Sequence, residues 1–278
     1  MSNQGRPENK AQSTYELHLS PTRRGLLQFM ILAAALGSGP PAALAAEPLR
    51  IAAAADLQPV LPSILADFSR QTGIAAEASY QSSATLTLQI ENGAGFDLFL
   101  SADTSFPQRL IAAGLAQQQA PVIYAQGTLV LWARKDAPLL ASRPISLECL
   151  HSPALHTLAI ANPEHAPYGR AARAALTSLG LLPALTPKLV TAENIAQAAQ
   201  FASTGNADAG LISLTSAIAL GTQGVYVAVP ASAYPPILQG AVLLKRAAPS
   251  ARRFLDYLAT PAVRQTLAKR GLAVPSSP

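Results

Sequence analysis

Residues 49–57 read LRIAAAADL, and residues 59–73 read PVLPSILADFSRQTG. The first segment is an apolar run of strand length that ends near an acidic residue, and the second has the apolar spacing of a helix that ends at a glycine. Another strand-like run, IAAEASY, follows at residues 74–80. This alternation of strands and helices predicts a doubly wound α/β protein. Ligands bind such sheets at the carboxyl ends of the strands, and Asp56 lies at the first of these ends.

Two adjacent serines follow the second strand, within SYQSSATL at residues 79–86. Either Ser82 or Ser83 can cap a helix predicted over residues 84–92, because a serine side chain accepts a hydrogen bond from an unpaired amide of the first turn. The second hydroxyl suggests a small anion at the helix start, where the amides and the helix dipole favour negative charge. Capping is the more common use of serine, and this segment alone leaves both alternatives open.

The α/β pattern continues on both sides of a long extended run, VIYAQGTLVLWARKD at residues 122–136. This run is too long for one ordinary strand, so we expect it to carry the chain from one domain to another. We therefore predict two doubly wound α/β lobes joined by extended hinge crossovers. Lobe I is predicted over residues 46–126 and 232–278, and lobe II over residues 127–231.

The first 45 residues have the features of an export signal. Residues 22–37, TRRGLLQFMILAAALG, place Arg23 and Arg24 before a short apolar run, and an A-x-A cleavage pattern ends at Ala45. The apolar run is shorter than the ~20 residues of a membrane span. Its arginine pair resembles the twin-arginine signal of bacteria, although general secretion is the alternative route. We predict a signal peptide over residues 1–45 and a periplasmic mature protein.

Composition and motifs argue against several classes of protein. The net charge is +5, and the basic residues are scattered, so no nucleic-acid partner is expected. A single cysteine, Cys149, excludes an internal disulfide. The histidines lack zinc-ligand spacing, and the sequence has no nucleophile elbow, Walker loop or dinucleotide fingerprint. We expect a protein without cofactor that is not an enzyme; the alternative is an exported enzyme with Asp56 as a base near Ser83.

Two segments of the predicted lobe II also place polar groups at helix starts. Residues 160–176, IANPEHAPYGRAARAAL, enter a helix through proline, with Tyr168 beside the helix start. Residues 190–199, VTAENIAQAA, open another helix, for which Thr191 is the predicted N-cap. Both lobes are thus predicted to present helix starts to a ligand, which is typical of a clamp that closes on an anion.

Five segments resemble the molybdate-binding proteins of bacterial ABC importers. In chain order they are AAAADLQPVLPSILADFSRQTG, SYQSSATLTLQIENGAGFDLFLSAD, IANPEHAPYGRAARAAL, AENIAQAAQFASTGNADAGLIS and RRFLDYLATPAVRQTLAKRG. The resemblance implies a monomeric, two-lobed periplasmic binding protein of type II, which delivers molybdate or tungstate to a membrane permease. It implies no other metal, and it implies a dehydrated oxyanion held by backbone amides and neutral hydroxyls. Binding of sulfate or another small oxyanion is the alternative with the same architecture.

The resemblance also implies the residues of the site. The ligand-binding residues would be Asp56, Ser83, Tyr168 and Ile195, and the supporting residues Ala55, Ser82, Asn194 and Ser213. Asp56 stands where many members have serine or asparagine, and a carboxylate facing a dianion opposes binding at close range. We therefore expect the Asp56 side chain to turn back and cap the following helix, which leaves its backbone amide for the ligand.

Overall fold

The computed structural model describes residues 47–141 and 144–274. The predicted signal peptide, residues 1–45, and its cleavage site lie outside the described residues. Within the described part of the chain, no helix is long and apolar enough to cross a membrane. The chain forms two mixed β-sheets with helices packed on them, which confirms the predicted α/β fold class.

The described residues form ten strands and nine α-helices. The strands are β1 (Leu49–Ala54), β2 (Ala76–Gln81), β3 (Leu98–Ser101), β4 (Val122–Gly127), β5 (Leu129–Arg134), β6 (Leu158–Ala161), β7 (Leu189–Ala192), β8 (Ala209–Ser213), β9 (Gly224–Ala228) and β10 (Ile237–Leu243). The helices are α1 (Leu61–Thr72), α2 (Ser83–Glu91), α3 (Ser105–Ala112), α4 (Pro167–Ser178), α5 (Leu182–Leu185), α6 (Ile195–Thr204), α7 (Leu214–Leu220), α8 (Pro249–Leu258) and α9 (Pro261–Lys269). A short 3₁₀ turn, Ala55–Leu57, follows β1 directly.

The two sheets have the same topology. The first has the strand order β2-β1-β3-β10-β4, and the second has the order β7-β6-β8-β5-β9. In each sheet the first three strands are parallel, and the fourth pairs antiparallel with both of its neighbours. We call the parts built on these sheets lobe I and lobe II. Parallel strands end at the same sheet edge, so each lobe gathers several helix starts at one edge.

Helix α1 illustrates how the sequence builds the core of lobe I. Its buried residues share one face, at the i, i+3, i+4, i+7 spacing of an amphipathic helix: Leu61, Ile64, Leu65 and Phe68. The Phe68 ring packs edge-on against Phe254 of α8, with centroids 5.0 Å apart. Val263 and Leu267 of α9 belong to the same core. The C-terminal helices thus complete lobe I, although lobe II separates them from β4 in the sequence.

The chain passes between the lobes twice. Strands β4 and β5 are separated by Thr128 alone and belong to different sheets, so the long extended run crosses from lobe I to lobe II. The return crossing, residues 229–236, joins β9 to β10. Leu129 ties the crossings together, because its amide donates to Tyr234 Oη (3.1 Å) and its carbonyl accepts from the Val229 amide (3.0 Å).

Candidate functional site

Helix starts from both lobes surround a small cavity. Its described lining residues are Ala54, Ala55, Asp56, Gln81, Ser82, Ser83, Ala102, Ala166, Pro167, Tyr168, Asn194 and Ile195. The structure therefore brings together all four residues predicted to bind a ligand and three of the four predicted to support them. Ser213 is not among these lining residues.

The two serines have separate roles at the start of α2. Ser82 has extended backbone angles, and its Oγ accepts from the Thr85 amide at 3.2 Å, so Ser82 is the N-cap. Ser83 is buried at the first helical position, and its Oγ accepts from the Ala102 amide at 3.1 Å. This contact uses a lone pair of Ser83 Oγ and leaves its hydrogen for another acceptor. The cavity side of Ser83 can therefore donate to an anion.

Asp56 does not cap a helix, so that prediction is wrong. The 3₁₀ turn and α1 both begin without a side-chain cap. The fully buried Asp56 carboxylate instead accepts, through Oδ2, from Tyr168 Oη at 3.2 Å and from Gln239 Nε2. Its backbone carbonyl accepts from Thr215 Oγ1 at 2.8 Å. The turn is fixed by these partners from other elements, which hold the carboxyl group at the cavity instead of folding it onto α1.

The burial of Asp56 changes its acidity. Loss of solvation raises its pKa from 3.8 to about 7, although the hydrogen bonds from Gln239 and Tyr168 stabilise the charged form and oppose the rise. Burial and then the charge of Asp56 also raise the pKa of Tyr168 well above its usual value. Near neutral pH, Asp56 is thus distributed between its charged and neutral forms, while the Tyr168 phenol keeps its proton.

Tyr168 reaches the site because two glycines allow close packing. Pro167 occupies the first turn of α4, where its missing amide hydrogen costs nothing, and Gly169 lies directly against the Ala161 carbonyl at the end of β6. A Cβ atom at Gly169 would lie 2.3 Å from that oxygen. The Tyr168 hydroxyl crosses to lobe I, where a Cβ atom at Gly127 would lie 2.1 Å from it. Larger residues at either position would displace the phenol.

The start of α6 corrects a second prediction. Thr191 lies in β7, and Asn194 is the N-cap, with its Oδ1 accepting from the Gln197 amide at 3.0 Å. The helix therefore begins at Ile195, not directly after Thr191. Ile195 is the first helical residue, whose amide has no acceptor within the helix, and it is buried at the cavity. The Asn194 side chain thus pairs with the Gln197 amide of the first helical turn and leaves the Ile195 amide for a ligand.

Ser213 supports the site from behind. It caps α7, its Oγ accepting from the Ser216 amide at 3.2 Å, and the same Oγ lies 2.8 Å from Thr215 Oγ1. Thr215 in turn donates to Asp56. Sequence reasoning missed both Thr215 and Gln239. One sequence signal points to Gln239: it is the only polar side chain in the apolar run ILQGAVLLK before the lysine that ends the run. In the structure, Gln239 is fully buried.

Two further contacts join the lobes beside the cavity. The Ala84 amide of α2 donates to the His165 carbonyl at 3.2 Å. Arg170 of α4 forms an ion pair with Asp103, and its guanidinium carbon lies 5.3 Å from the centroid of the Phe106 ring. Among the described residues, no group of three or more His, Cys, Asp and Glu could hold a metal ion. The lobes thus also meet through a backbone hydrogen bond between α2 and the loop before α4, and through a salt bridge beside the cavity.

Comparisons with known proteins agree with this architecture. Residues 49–273 match the family model described as bacterial extracellular solute-binding protein. The chain is 37% identical to the molybdate-binding protein ModA of Azotobacter vinelandii, over 86% of this chain and 96% of that protein. It is also 37% identical to ModA of Rhodobacter capsulatus, over 86% and 93%.

A solved structure gives the same result. The periplasmic molybdate-binding protein of Azotobacter vinelandii superposes with a TM-score of 0.76 at 33% identity, over 82% of this chain and all of that chain. The family model, which matches residues 49–273, covers both sheets. The chain therefore belongs to the bacterial extracellular solute-binding protein family and, within it, to the ModA molybdate-binding proteins.

Proposed function

We propose that this protein captures molybdate or tungstate between its two lobes and delivers the oxyanion to the permease of an ABC importer. The observation that carries the proposal is the composition of the cavity. Three α-helix starts and a 3₁₀ turn meet there, and none of the described lining residues is Lys, Arg or His. Such a site offers fixed amide dipoles and hydroxyls to an anion, without a mobile counter-ion.

Each predicted ligand-binding residue has a role in this proposal. Ser83 donates its hydroxyl hydrogen, Ile195 donates its amide, and the loop at Asp56 donates from the other side of the cavity. Tyr168 spans the lobes and offers the oxyanion its amide, since its hydroxyl hydrogen is donated to Asp56. Ala55, Ser82, Asn194 and Ser213 position these groups. Ser82, Asn194 and Ser213 do so as helix caps, and the first two leave the first amides of their helices available at the cavity.

The same proposal includes location and partners. The names of the relatives, the site and the signal-like leader together support a periplasmic protein that works with a membrane permease and performs no catalysis, and its monomeric state remains a prediction. The enzyme alternative requires Asp56 to act as a base on Ser83. In the described structure, Asp56 Oδ2 bonds to Tyr168 and Gln239, and Ser83 Oγ bonds to the Ala102 amide. These contacts favour a binding site.

Isothermal titration of the full chain with molybdate, tungstate and sulfate tests the proposal. We expect one-to-one binding of molybdate and tungstate and no heat with sulfate, because a rigid cavity of fixed donors discriminates by size. Binding of sulfate alone would keep the clamp and overturn the ligand. Absence of binding by all three oxyanions at pH 6 would overturn the proposed function.

A further inference from the structure

The Asp56 carboxyl group has one oxygen that no described residue uses. Oδ2 has two donors, whereas Oδ1 is buried and has no hydrogen-bond partner in the described structure. Asp56 lines the cavity, and its relative exposure is 0%. A buried, unpartnered carboxylate oxygen is unfavourable, so its presence at a ligand cavity calls for a partner that arrives with the ligand.

Among the described residues, the surroundings of Asp56 supply no compensating positive charge. Its 3₁₀ turn packs against β2, α6 and α7, and the latter two helices carry no ionisable side chain. Strand β2 carries Tyr80 and Glu77, and Glu77 is exposed and lies 3.7 Å from Arg50. Two phenols lie near Asp56: Tyr168 of α4, which donates to its carboxylate, and Tyr124 of β4. Burial and then the charge of Asp56 raise the pKa of both tyrosines.

The remaining charges of α4 are also committed elsewhere. Arg170 pairs with Asp103, and Arg173 lies 3.2 Å from Glu164. Strand β10 places only the neutral Gln239 against the carboxyl group. Asp56 therefore faces the cavity among neutral groups, and an arriving dianion would meet its negative charge directly.

Two physical effects then favour the same protonation state. Burial already raises the pKa of Asp56 to about 7, and a dianion alongside would raise it further, since a like charge disfavours ionisation. A neutral carboxyl group also gains an O–H donor, which a carboxylate lacks. Protonation thus removes a repulsion and supplies a hydrogen bond at the same point.

We propose that Asp56 binds the oxyanion as a neutral carboxylic acid, donating its proton from Oδ1 to a ligand oxygen, so that each captured dianion brings one proton into the protein. This inference rests on the proposed function. The only covalent bond that forms is the O–H bond of Asp56, and its proton comes from solvent. Because linkage is reciprocal, acid strengthens oxyanion binding, and oxyanion binding strengthens protonation of Asp56.

Titration calorimetry in buffers of different ionisation enthalpy counts this proton. At pH 8 we expect uptake of about one proton per molybdate in the unmodified protein and none in Asp56→Asn, which keeps a donor without a titrating group. The affinity of the unmodified protein should fall by up to tenfold per pH step of one between pH 7 and 9. The affinity of Asp56→Asn should be constant over this range.

The control is Asp136→Asn, which removes an exposed carboxylate that does not line the cavity. This variant should still take up one proton. Infrared difference spectra of the bound and free protein locate the proton: we expect the carbonyl stretch of a protonated carboxyl group on binding, absent in Asp56→Asn.

The outcomes separate the two proposals. Molybdate binding without proton uptake, uptake that persists in Asp56→Asn, or absence of the protonated-carboxyl band would each overturn the role of Asp56 and leave the proposed function standing. Failure of the unmodified protein to bind any oxyanion at pH 6 would overturn the proposed function itself.

Discussion

The two lobes build matching halves of the cavity with different chemistry. In each lobe the loop after the second parallel strand ends in a polar N-cap, Ser82 in lobe I and Asn194 in lobe II, and the next residue faces the cavity. Ser83 adds a hydroxyl to that position, whereas Ile195 offers only its amide. The loops after the first strands differ more, because lobe I supplies the ionisable Asp56 and lobe II supplies the neutral phenol of Tyr168.

In both lobes, the start of a helix at the cavity involves two residues with separate roles. The cap residue fixes where the helix begins, and the residue after it determines what the ligand meets. The first task is the same in both lobes, and the second is where the lobes diverge. The following predictions test whether the titrating group of lobe I, the amide of lobe II and the cap beside Ser83 act independently.

The largest effect should come from Asp56 in the ligand-free protein. Its pKa is about 7 when folded, compared with about 3.9 for an unfolded chain, so between pH 4 and 7 the folded state binds more protons. Stability therefore falls as the pH rises through this window and levels off above it. We expect the free energy of unfolding to fall by about 2 to 4 kcal/mol from this group.

Urea unfolding at pH 5 and pH 8 measures that difference. Asp56→Asn should lose most of the decrease, while Asp136→Asn, which changes an exposed carboxylate, should keep it. An unchanged decrease in Asp56→Asn would mean that the carboxyl group is solvated in the folded protein.

The next effect isolates the amide of lobe II. Ile195→Pro removes the N–H of the first helical position, where proline is tolerated, and it also shortens a buried side chain. The extended angles of Asn194 suit a residue before proline. Loss of a hydrogen bond to a charged ligand should weaken molybdate binding by about tenfold to a hundredfold. Ile195→Val retains the amide and should bind within about threefold of the unmodified protein.

Thermal unfolding without ligand provides the check on folding for this pair of variants. Similar melting temperatures with different affinities would assign the loss to the amide. Equal affinities would remove the Ile195 amide from the binding site.

The smallest effect concerns the adjacent serines. Ser82→Ala removes the cap of α2 and should lower the free energy of unfolding by about 1 kcal/mol, with little change in affinity. Ser83→Ala should weaken binding by about tenfold, and it should also lower the free energy of unfolding by about 1 kcal/mol, because the buried Ala102 amide loses its acceptor. Chemical denaturation and calorimetry on both variants make the comparison. If Ser82→Ala weakened binding as much as Ser83→Ala, the division between cap and ligand-facing residue would be wrong.

The local part of this site could be read from the sequence. Strand ends, helix starts and the serine pair depend on neighbours within a few residues, and the loops at Ser83, Tyr168 and Ile195 all reached the cavity. The N-cap of α6 was misplaced by three residues, because Thr191 and Asn194 are both good caps and only the strand pairing of β7 decides between them.

The environment of Asp56 could not be derived in that way. Gln239 lies 183 positions away in the sequence and Thr215 lies 159, and both contacts exist only after β10 and α7 have taken their places. A rule based on neighbouring residues therefore predicted that the Asp56 carboxyl group caps the nearest helix. The structure instead has hydrogen bonds from Thr215 and Gln239, because these buried polar side chains would be unpaired if Asp56 capped a helix.

The link between the crossings at Leu129 restricts how the lobes can move. Two independent connections would each bend at their own points and would allow the lobes to twist as well as open. Here one residue bonds to the return crossing through both its amide and its carbonyl. The two connections are therefore tied together at Leu129, and we expect the lobes to open by rotation about this point more readily than by twisting.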